Sequence, residues 1–485
     1  MRHCWQRGGR GMAVADDIRD KRVTIVGLGI LGGGVGVARY AVGQGARVTV
    51  TDMRDAGQLA QSIQALEGLP ITYRLGGHDI VDFLPDGADI IVRNPGVPRR
   101  SEFLLVARDH GVPIEMEMSL FFRACPAPVI GVTGTKGKTT VSTLIGDMLA
   151  AWNPVSVMAG NMGISALAAL ERIDQQTPVV IELSSWQLEA LDEHRLGPAV
   201  AVLTNIHEDH LTHYDGYEDY AATKRTIAHH LGQSDVVAYN AMQPDTARVA
   251  RETSGRLFPL DNHEPDGDGA WSTDTDLRVR WEGDVVSYVR PTHLALSGVT
   301  GTANALAALA AATARGVPAS AIASALAAFQ GVPHRLEQVD RCGGVTFIND
   351  TSASAPIAAA MTIELLASRS ESLTVIVGGT DKASDFGVMA EAIATSNARI
   401  VLLDGTGTER LIVALEARGV RRPETHASLA TAFDLALSQT PAGGAIVLSP
   451  GCASFGMFRN EFDRGEQFRQ LVADFCASQS FQSDR

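Results

Sequence analysis

Short apolar runs recur along the chain and alternate with segments whose apolar residues return every three or four positions. The runs read VTIVG before Leu28, RVTVTD up to Asp52, ADIIVR up to Arg93, VIGVTG from Val129, VVIEL up to Leu183, AVAVL up to Leu203, GVTFIND up to Asp350, and then LTVIVGG, ARIVLLDG and GAIVLSPG. Unbroken apolar stretches rich in Val and Ile and closed by glycine or polar turns are the mark of strands buried on both faces. Between them, VGVARYAVGQG and VSTLIGDMLAA carry helical periodicity, and GTANALAALAAATARGVPASAIASALAAFQGVP reads as two alanine-rich helices stopped by Gly-Val-Pro. Residues 255–290 are polar and strand-like. The alternation predicts an α/β protein with mostly parallel sheets. At 485 residues the chain is too long for one core. The expected division is a flexible extension over 1–20 and three domains, over 21–125, 126–338 and 339–485.

Composition narrows the functional classes. Hydrophobic content of 45% and charged content of 20% are those of a globular protein, while a net charge of −14 argues against a nucleic-acid partner. No apolar stretch is long enough for a membrane span, and the basic first residues lack the apolar segment of a secretion signal. Five cysteines lie far apart without metal-ligand spacing, which predicts reduced thiols and a cytoplasmic location.

The richest stretch is VIGVTGTKGKTT, a strand entering a Gly/Thr turn that leaves into a helix at Lys138. Gly134 and Gly137 let backbone N–H groups close on phosphate oxygens, Lys138 reaches the terminal phosphates, and Thr139 offers a hydroxyl to magnesium. Thr135, Lys136 and Thr140 complete the predicted ATP loop. The strict phosphate-loop pattern would place a further glycine at Val132, so this is a shortened form. Upstream, Gly27, Gly29 and Gly32 fit G-x-G-x-x-G, with Asp52 closing the second strand where a carboxylate meets a ribose hydroxyl. Such a Rossmann-like turn cradles any diphosphate, so a dinucleotide such as NAD and a nucleotide sugar both remain open. Glu182 ends its strand in a position suited to magnesium. His207, His210 and His213 recur every third residue in an acidic loop, ahead of a helix carrying Lys224. Arg335 sits in a Pro-His-Arg turn. Asp350, Ser352, Ser354, Lys382, Ser449 and Ser454 all follow strands of the last domain, which points to one shared site there.

Taken in order, TGTKGKTT, ELSSWQLE, TNIHEDHLTHY with YAATKRTI, GVPHRLE, FIND, VGGTDKASDF and LSPGCASF make the chain similar to the Mur ligases of peptidoglycan synthesis, and in particular to their glutamate-adding branch. The resemblance implies a Rossmann-like N-terminal domain holding a UDP-sugar, a central ATPase of phosphate-loop type and a Rossmann-like C-terminal domain bringing the amino acid. It implies a monomer that uses ATP and two magnesium ions to join glutamate to UDP-N-acetylmuramoyl-L-alanine through an acyl phosphate. Gly27, Gly29, Gly32, Asp52, Asn94, Gly96, Asn161 and Ser184 would then face the UDP-sugar. Lys138, His210 and Lys224 would serve catalysis, with Lys224 carbamylated, and Thr139, Glu182, His210 and Lys224 would face metal. Asn304, Arg335 and Asp350 would contact ATP, and Ser354, Lys382 and Ser454 the glutamate.

Three departures accompany the resemblance. The family's Asp-Ser-Lys-Ala-Thr-Asn is DTSASAP here, putting Ser352 where the lysine stands and Ser354 where the threonine stands. A pocket aromatic falls at Glu461, beside Phe462, and the family's His-Asn falls at Thr300-Gly301. The first two border the amino-acid pocket, so D-glutamate is the expected substrate and L-glutamate the alternative. A folylpolyglutamate-type ligase, a noncatalytic nucleotide switch and an oxidoreductase fused to an NTPase are the more remote alternatives.

Overall fold

A computed structural model describes residues 18–30, 32–160, 165–209, 213–291, 296, 298–381 and 384–483. Among the described residues twenty strands form three sheets, and most pairings are parallel. The alternating pattern therefore folds as the α/β architecture it predicts. Contacts divide the chain into two compact units, Met1–Pro291 with Thr302–Phe329, and Thr292–Gly301 with Gln330–Arg485.

The first unit holds two sheets. One is β1 (Arg22–Val26), β2 (Arg47–Asp52), β3 (Ile71–Leu75), β4 (Ile90–Arg93) and β5 (Ile114–Glu115), in the order β3-β2-β1-β4-β5 and parallel throughout. Its strand order reverses between β1 and β4, which opens a crevice beyond their carboxyl ends. The other sheet comprises β6 (Val129–Thr133), β7 (Val157–Gly160), β8 (Val179–Glu182), β9 (Val200–Leu203), β10 (Val236–Asn240), β11 (Arg256–Asp261), β12 (Gly269–Ser272), β13 (Asp276–Trp281) and β14 (Asp284–Val289). They run β14-β13-β12-β11-β10-β9-β6-β8-β7. The polar segment over 255–290 supplies the edge, where β12, β13 and β14 pair antiparallel. One buried cluster runs from Ile25 and Val50 through Val129 and Ile181 to Ala201 and Val237, so the two sheets share a core.

The second unit has β15 (Glu337–Cys342), β16 (Val345–Asn349), β17 (Leu373–Gly378), β18 (Arg399–Leu403), β19 (Thr425–His426) and β20 (Ala445–Leu448), ordered β15-β16-β20-β17-β18-β19. β17 shows why an apolar run becomes a central strand. Val375 and Val377 pack on one face with the helices Pro356–Ala367 and Gly387–Ser396, and Ile376 packs on the other with Phe433 and Phe468. Strand alternation thus buries every residue of the run.

Two features differ from the sequence reading. β15 is a charged antiparallel edge strand, EQVDRC, that apolar periodicity does not mark. Cys342 on that strand is joined to Cys476 on the helix Glu461–Ser483 by a disulfide with Cα atoms 5.5 Å apart. The spacing of the cysteines predicts reduced thiols throughout. That expectation holds for Cys125 and Cys452, which are not in a disulfide, and fails for this pair, because the fold brings together residues 134 positions apart; Cys4 lies outside the described residues.

Candidate active site

Strand β6, which pairs with β8 on one side and β9 on the other, ends at Thr133, and the phosphate loop follows. Gly134 has φ +151° and Gly137 has φ +83°, conformations that side-chain-bearing residues rarely adopt. Both glycines are also sterically required. A Cβ on Gly134 would overlap the Thr204 hydroxyl, and one on Gly137 would overlap the Asn304 amide. The helix Lys138–Trp152 begins immediately after, so Thr139 and Thr140 occupy its first turn with N–H groups directed at the loop.

The loop after β9 holds this one in shape. Asn205 Oδ1 accepts from the Lys136 N–H at 2.8 Å, and its Nδ2 donates to the Lys136 carbonyl at 3.0 Å. The Thr204 hydroxyl donates to the same carbonyl at 2.7 Å. Thr135 Oγ1 accepts from the His207 N–H at 2.9 Å and lies 3.1 Å from the Tyr220 hydroxyl. Thr204 and Asn205 escaped the sequence reading, since Thr-Asn after a strand signals only a turn. Lys138 Nζ donates to the carbonyls of Gly134 and Thr135, both at 3.0 Å, and Lys136 pairs with Asp209 at 3.5 Å.

Lys224 is 2% exposed, on the helix Tyr217–Arg225, and its Nζ lies 5.1 Å from the centre of the Tyr220 ring. Burial holds its ammonium form well below the ordinary lysine range, and the positive charge of Lys138 adds to that, while Asp209 and Glu182 oppose it. Glu182, 2% exposed, closes β8 as its strand pattern predicts. The structure therefore gathers the phosphate loop, Glu182, Asn304 and Lys224 at the carboxyl ends of β6, β8 and β9. His210 and Asn161 lie outside the described residues. His207 and His213 sit in a loop, as the acidic sequence around them predicts.

At the crevice between β1 and β4, the Gly27–Gly32 turn meets Asn94. A Cβ on Gly27 would lie 3.1 Å from that of Asn94, and one on Gly29 would lie 3.4 Å from its amide nitrogen. Asp52 does something the sequence does not specify: its two oxygens accept from the backbone N–H of Gly29 at 3.1 Å and of Arg54 at 2.9 Å. It thus clamps the glycine turn. Gly96 N–H donates to Asn94 Oδ1 at 3.1 Å, closing the Asn-Pro-Gly turn. Ser184 is engaged in a capping box with Gln187 at the start of the helix Ser185–Glu193. Glu117, absent from the sequence reading, accepts from Ser165 Oγ at 2.5 Å beside this crevice. Burial raises its pKa, and hydrogen bonds from Ser165 and the backbone of Leu167 and Ala166 oppose the rise.

In the second unit, the ends of β16, β17 and β20 lie side by side. Asp350 accepts from the Leu336 N–H at 3.1 Å, Thr362 Oγ1 at 2.6 Å and Ser449 Oγ at 2.9 Å. Burial pushes its carboxyl above the ordinary range. Thr380 and Ala453 exchange backbone hydrogen bonds at 3.0 Å, joining the segment after β17 to the loop holding Ser454, which is 4% exposed. Arg464 is fully buried and braces the cluster, donating to Thr351 Oγ1 at 2.8 Å and O at 3.0 Å and to Cys452 O at 3.3 Å. Burial lowers its pKa to about 10. Nothing in the charged run RNEFDRGEQF marks it out from its neighbours. Ser354 lies in the loop after β16, Arg335 is exposed in a tight turn with Val332, and Lys382 falls outside the described residues.

Three family models match: "Mur ligase MurD-like, N-terminal domain" over residues 21–115, "Mur ligase middle domain" over 132–312 and "Mur ligase, glutamate ligase domain" over 334–452. A UDP-N-acetylmuramoylalanine–D-glutamate ligase of Roseiflexus sp. (strain RS-1) is 42% identical over 480 residues, covering 94% of this chain and 99% of that protein. The chain belongs to the Mur ligase family. A second Mur ligase of the same description, from Geobacter metallireducens, is 34% identical over 457 residues, covering 94% of this chain and 98% of that protein. The fold agrees with that of the Mur ligase MurC of Thermotoga maritima, at a TM-score of 0.57 and 18% identity over 94% of this chain and all of that one. FolC of E. coli, in complex with DHPP and ADP, shares the fold at a TM-score of 0.56 and 19% identity, over 74% of this chain and 93% of that one. Mur ligases are ATP-dependent amide ligases that generally use magnesium, which removes the oxidoreductase reading of the first glycine turn.

Proposed function

We propose that the chain joins the amine of D-glutamate to the alanyl carboxylate of UDP-N-acetylmuramoyl-L-alanine, converting ATP to ADP and phosphate, as a cytoplasmic monomer. Residues 21–125 would hold the UDP-sugar, 126–338 the ATP and 339–485 the glutamate. The observation that carries this reading is Lys224, a buried amine set among Lys138, Asp209 and Glu182 beside a phosphate loop.

That amine has a chemical use. With its proton affinity lowered, its nitrogen lone pair adds to the carbon of carbon dioxide, releases a proton and leaves a carbamate anion. A cation that an ammonium would repel is then attracted. Among the described residues no three His, Cys, Asp or Glu side chains gather as a metal cluster. The oxygen donors present, Glu182, the Thr139 hydroxyl and a Lys224 carbamate, fit magnesium, which is held by one or two protein oxygens together with phosphate and water. We assign His210 to the same group and read two ions there. When bound, magnesium would neutralise charge on the phosphates.

The chain's own residues do the rest. Backbone N–H groups from Gly134 to Thr140 and the Lys138 ammonium hold the triphosphate with Asn304 beside them, and the family resemblance assigns Arg335 and Asp350 to ATP as well. Gly27, Gly29, Gly32, Asn94, Gly96 and Asn161 fix the UDP diphosphate. Asp52 and Ser184 act here by holding the turn and capping the helix. An alanyl carboxylate oxygen bonds to the γ-phosphorus as the bridge to ADP breaks, and the glutamate amine then attacks the acyl carbon and expels phosphate. Ser354, Lys382 and Ser454 hold the glutamate. The D-enantiomer follows the relatives' description, and Ser352 in place of a lysine is the observation that favours L-glutamate as the second reading. Phosphate release requiring both UDP-N-acetylmuramoyl-L-alanine and glutamate, run with each enantiomer, tests the proposal. Release indifferent to the UDP-sugar would overturn it.

A further inference from the structure

A line of charges joins the UDP-sugar crevice to the two helices that flank the phosphate loop. Arg93 is the last residue of β4, 3% exposed, and directly precedes Asn94. Its Nη1 donates to the Val97 carbonyl at 3.2 Å, while the Val97 N–H donates to the Asn94 carbonyl at 2.9 Å. One guanidinium arm therefore ties off the Asn-Pro-Gly turn from behind. The other arm, Nη2, donates to Glu189 Oε2 at 3.0 Å. Glu189 lies on the helix that Ser184 caps, directly after the strand carrying Glu182.

The neighbours extend the pattern. Arg99 approaches Glu189 at 3.6 Å and pairs with Asp219 at 2.6 Å, on the helix that carries Lys224. Arg100 makes a two-pronged pair with Asp215, at 2.9 and 2.5 Å. His213 lies 3.7 Å from Glu189, and Tyr214 also faces that carboxylate. Arg93 at the end of β4 and Arg99 and Arg100 in the segment after it thus face three carboxylates, Glu189 and Asp219 on helices and Asp215 in the loop before the second of them. The Arg93–Glu189 pair is the buried member, with Glu189 11% exposed and the Arg100–Asp215 pair open to solvent.

A buried ion pair contributes little net stability, because desolvation offsets the attraction, but it fixes geometry strongly. In a ligase the geometry that matters is the separation between the diphosphate anchor and the γ-phosphate, since the acyl carboxylate must arrive in line with it. We propose that Arg93 and Glu189 are positioning residues for the UDP-sugar, holding the Asn94 turn at a set distance from the phosphate loop. This rests on the reading of the chain as a UDP-sugar ligase.

Glu189→Gln and Arg93→Lys test it in the full chain. Both retain side-chain bulk; the first removes the charge that Arg93 Nη2 meets, and the second leaves one ammonium where two arms had separate partners. Each is expected to weaken calorimetric binding of UDP-N-acetylmuramoyl-L-alanine about tenfold and to lower kcat, leaving the affinity for a nonhydrolysable ATP analogue within twofold. Arg100→Ala, at the solvent end, is expected to match wild type. The double variant Arg93→Met/Glu189→Met removes both charges together and is expected to restore thermal stability without restoring UDP-sugar affinity. A merely structural pair would restore both. Unchanged UDP-sugar binding in the single variants, or equal losses for both ligands, overturns the positioning role while the ligase reading stands. Wild-type protein that fails to bind the UDP-sugar overturns both.

Discussion

Gly134→Ala is the substitution whose effect the structure sets most narrowly. A Cβ there would overlap Thr204 Oγ1 and lie 3.1 Å from both the backbone N and O of Asn205. The backbone cannot yield, because the Thr135 N–H is bonded to the Asn205 carbonyl at 2.8 Å. The Thr204 side chain must move, which breaks its 2.7 Å hydrogen bond to Lys136 O, a loss of about 1 kcal/mol. Holding alanine at φ +151° adds about 1–2 kcal/mol. If the loop escapes this cost by leaving its nucleotide-ready shape, ATP affinity falls by roughly 2–3 kcal/mol, about 30- to 150-fold. Titration of a fluorescent ATP analogue reads this directly. Thr204→Ala, added to Gly134→Ala, removes the overlapping hydroxyl and is expected to recover part of the loss. Affinity within twofold of wild type in the single variant, or no recovery in the double, would refute the steric reasoning.

Lys224→Ala is expected to abolish ligation, with partial return on adding acetate as a detached carboxylate, whereas wild-type rates would exclude a carbamate. Because burial lowers the folded-state pKa of Lys224, the unfolded chain binds its proton first as pH falls from the ordinary lysine value, and the residue weakens the unmodified fold below that range. In carbon-dioxide-free buffer Lys224→Met should therefore melt above wild type at neutral pH, and the gap should close in alkali, as differential scanning calorimetry at both pH values will show. Asp52→Asn places an amide against the N–H groups of Gly29 and Arg54, and is expected to weaken UDP-sugar binding by about 1–3 kcal/mol while sparing ATP, measured by calorimetry. Reducing Cys342–Cys476 opens a loop of 134 residues and is expected to cost about 5 kcal/mol, seen as a fall in the melting temperature with dithiothreitol and as two thiols newly open to alkylation.

Much of the site was legible because chemistry and local structure coincide there. Gly134, Gly137 and Lys138 announce themselves, since a strand, a glycine turn and a helix start are all local signals. Glu182 and Asp350 were found by the same logic, as carboxylates at the ends of apolar runs. What stayed hidden depends on contacts distant in sequence. Arg93 meets Glu189 from 96 residues away and Arg464 meets Thr351 from 113, and the local sequence around neither arginine names its partner. Asp52 was found, but its work was not: the motif suggests a ribose ligand, and only the folded turn reveals that both oxygens are already bonded to backbone. β15 was missed because an edge strand needs no apolar face, and Cys342–Cys476 because spacing alone does not say which cysteines meet.

The central claim is that the alanyl carboxylate attacks ATP at the phosphate loop. UDP-N-acetylmuramoyl-L-alanine labelled with oxygen-18 in both carboxylate oxygens, supplied with ATP and D-glutamate, tests it in one mass spectrum of the released phosphate. Attack by the carboxylate leaves one labelled oxygen in each phosphate and one in the amide carbonyl. Unlabelled phosphate, with amide formed or not, would contradict the account.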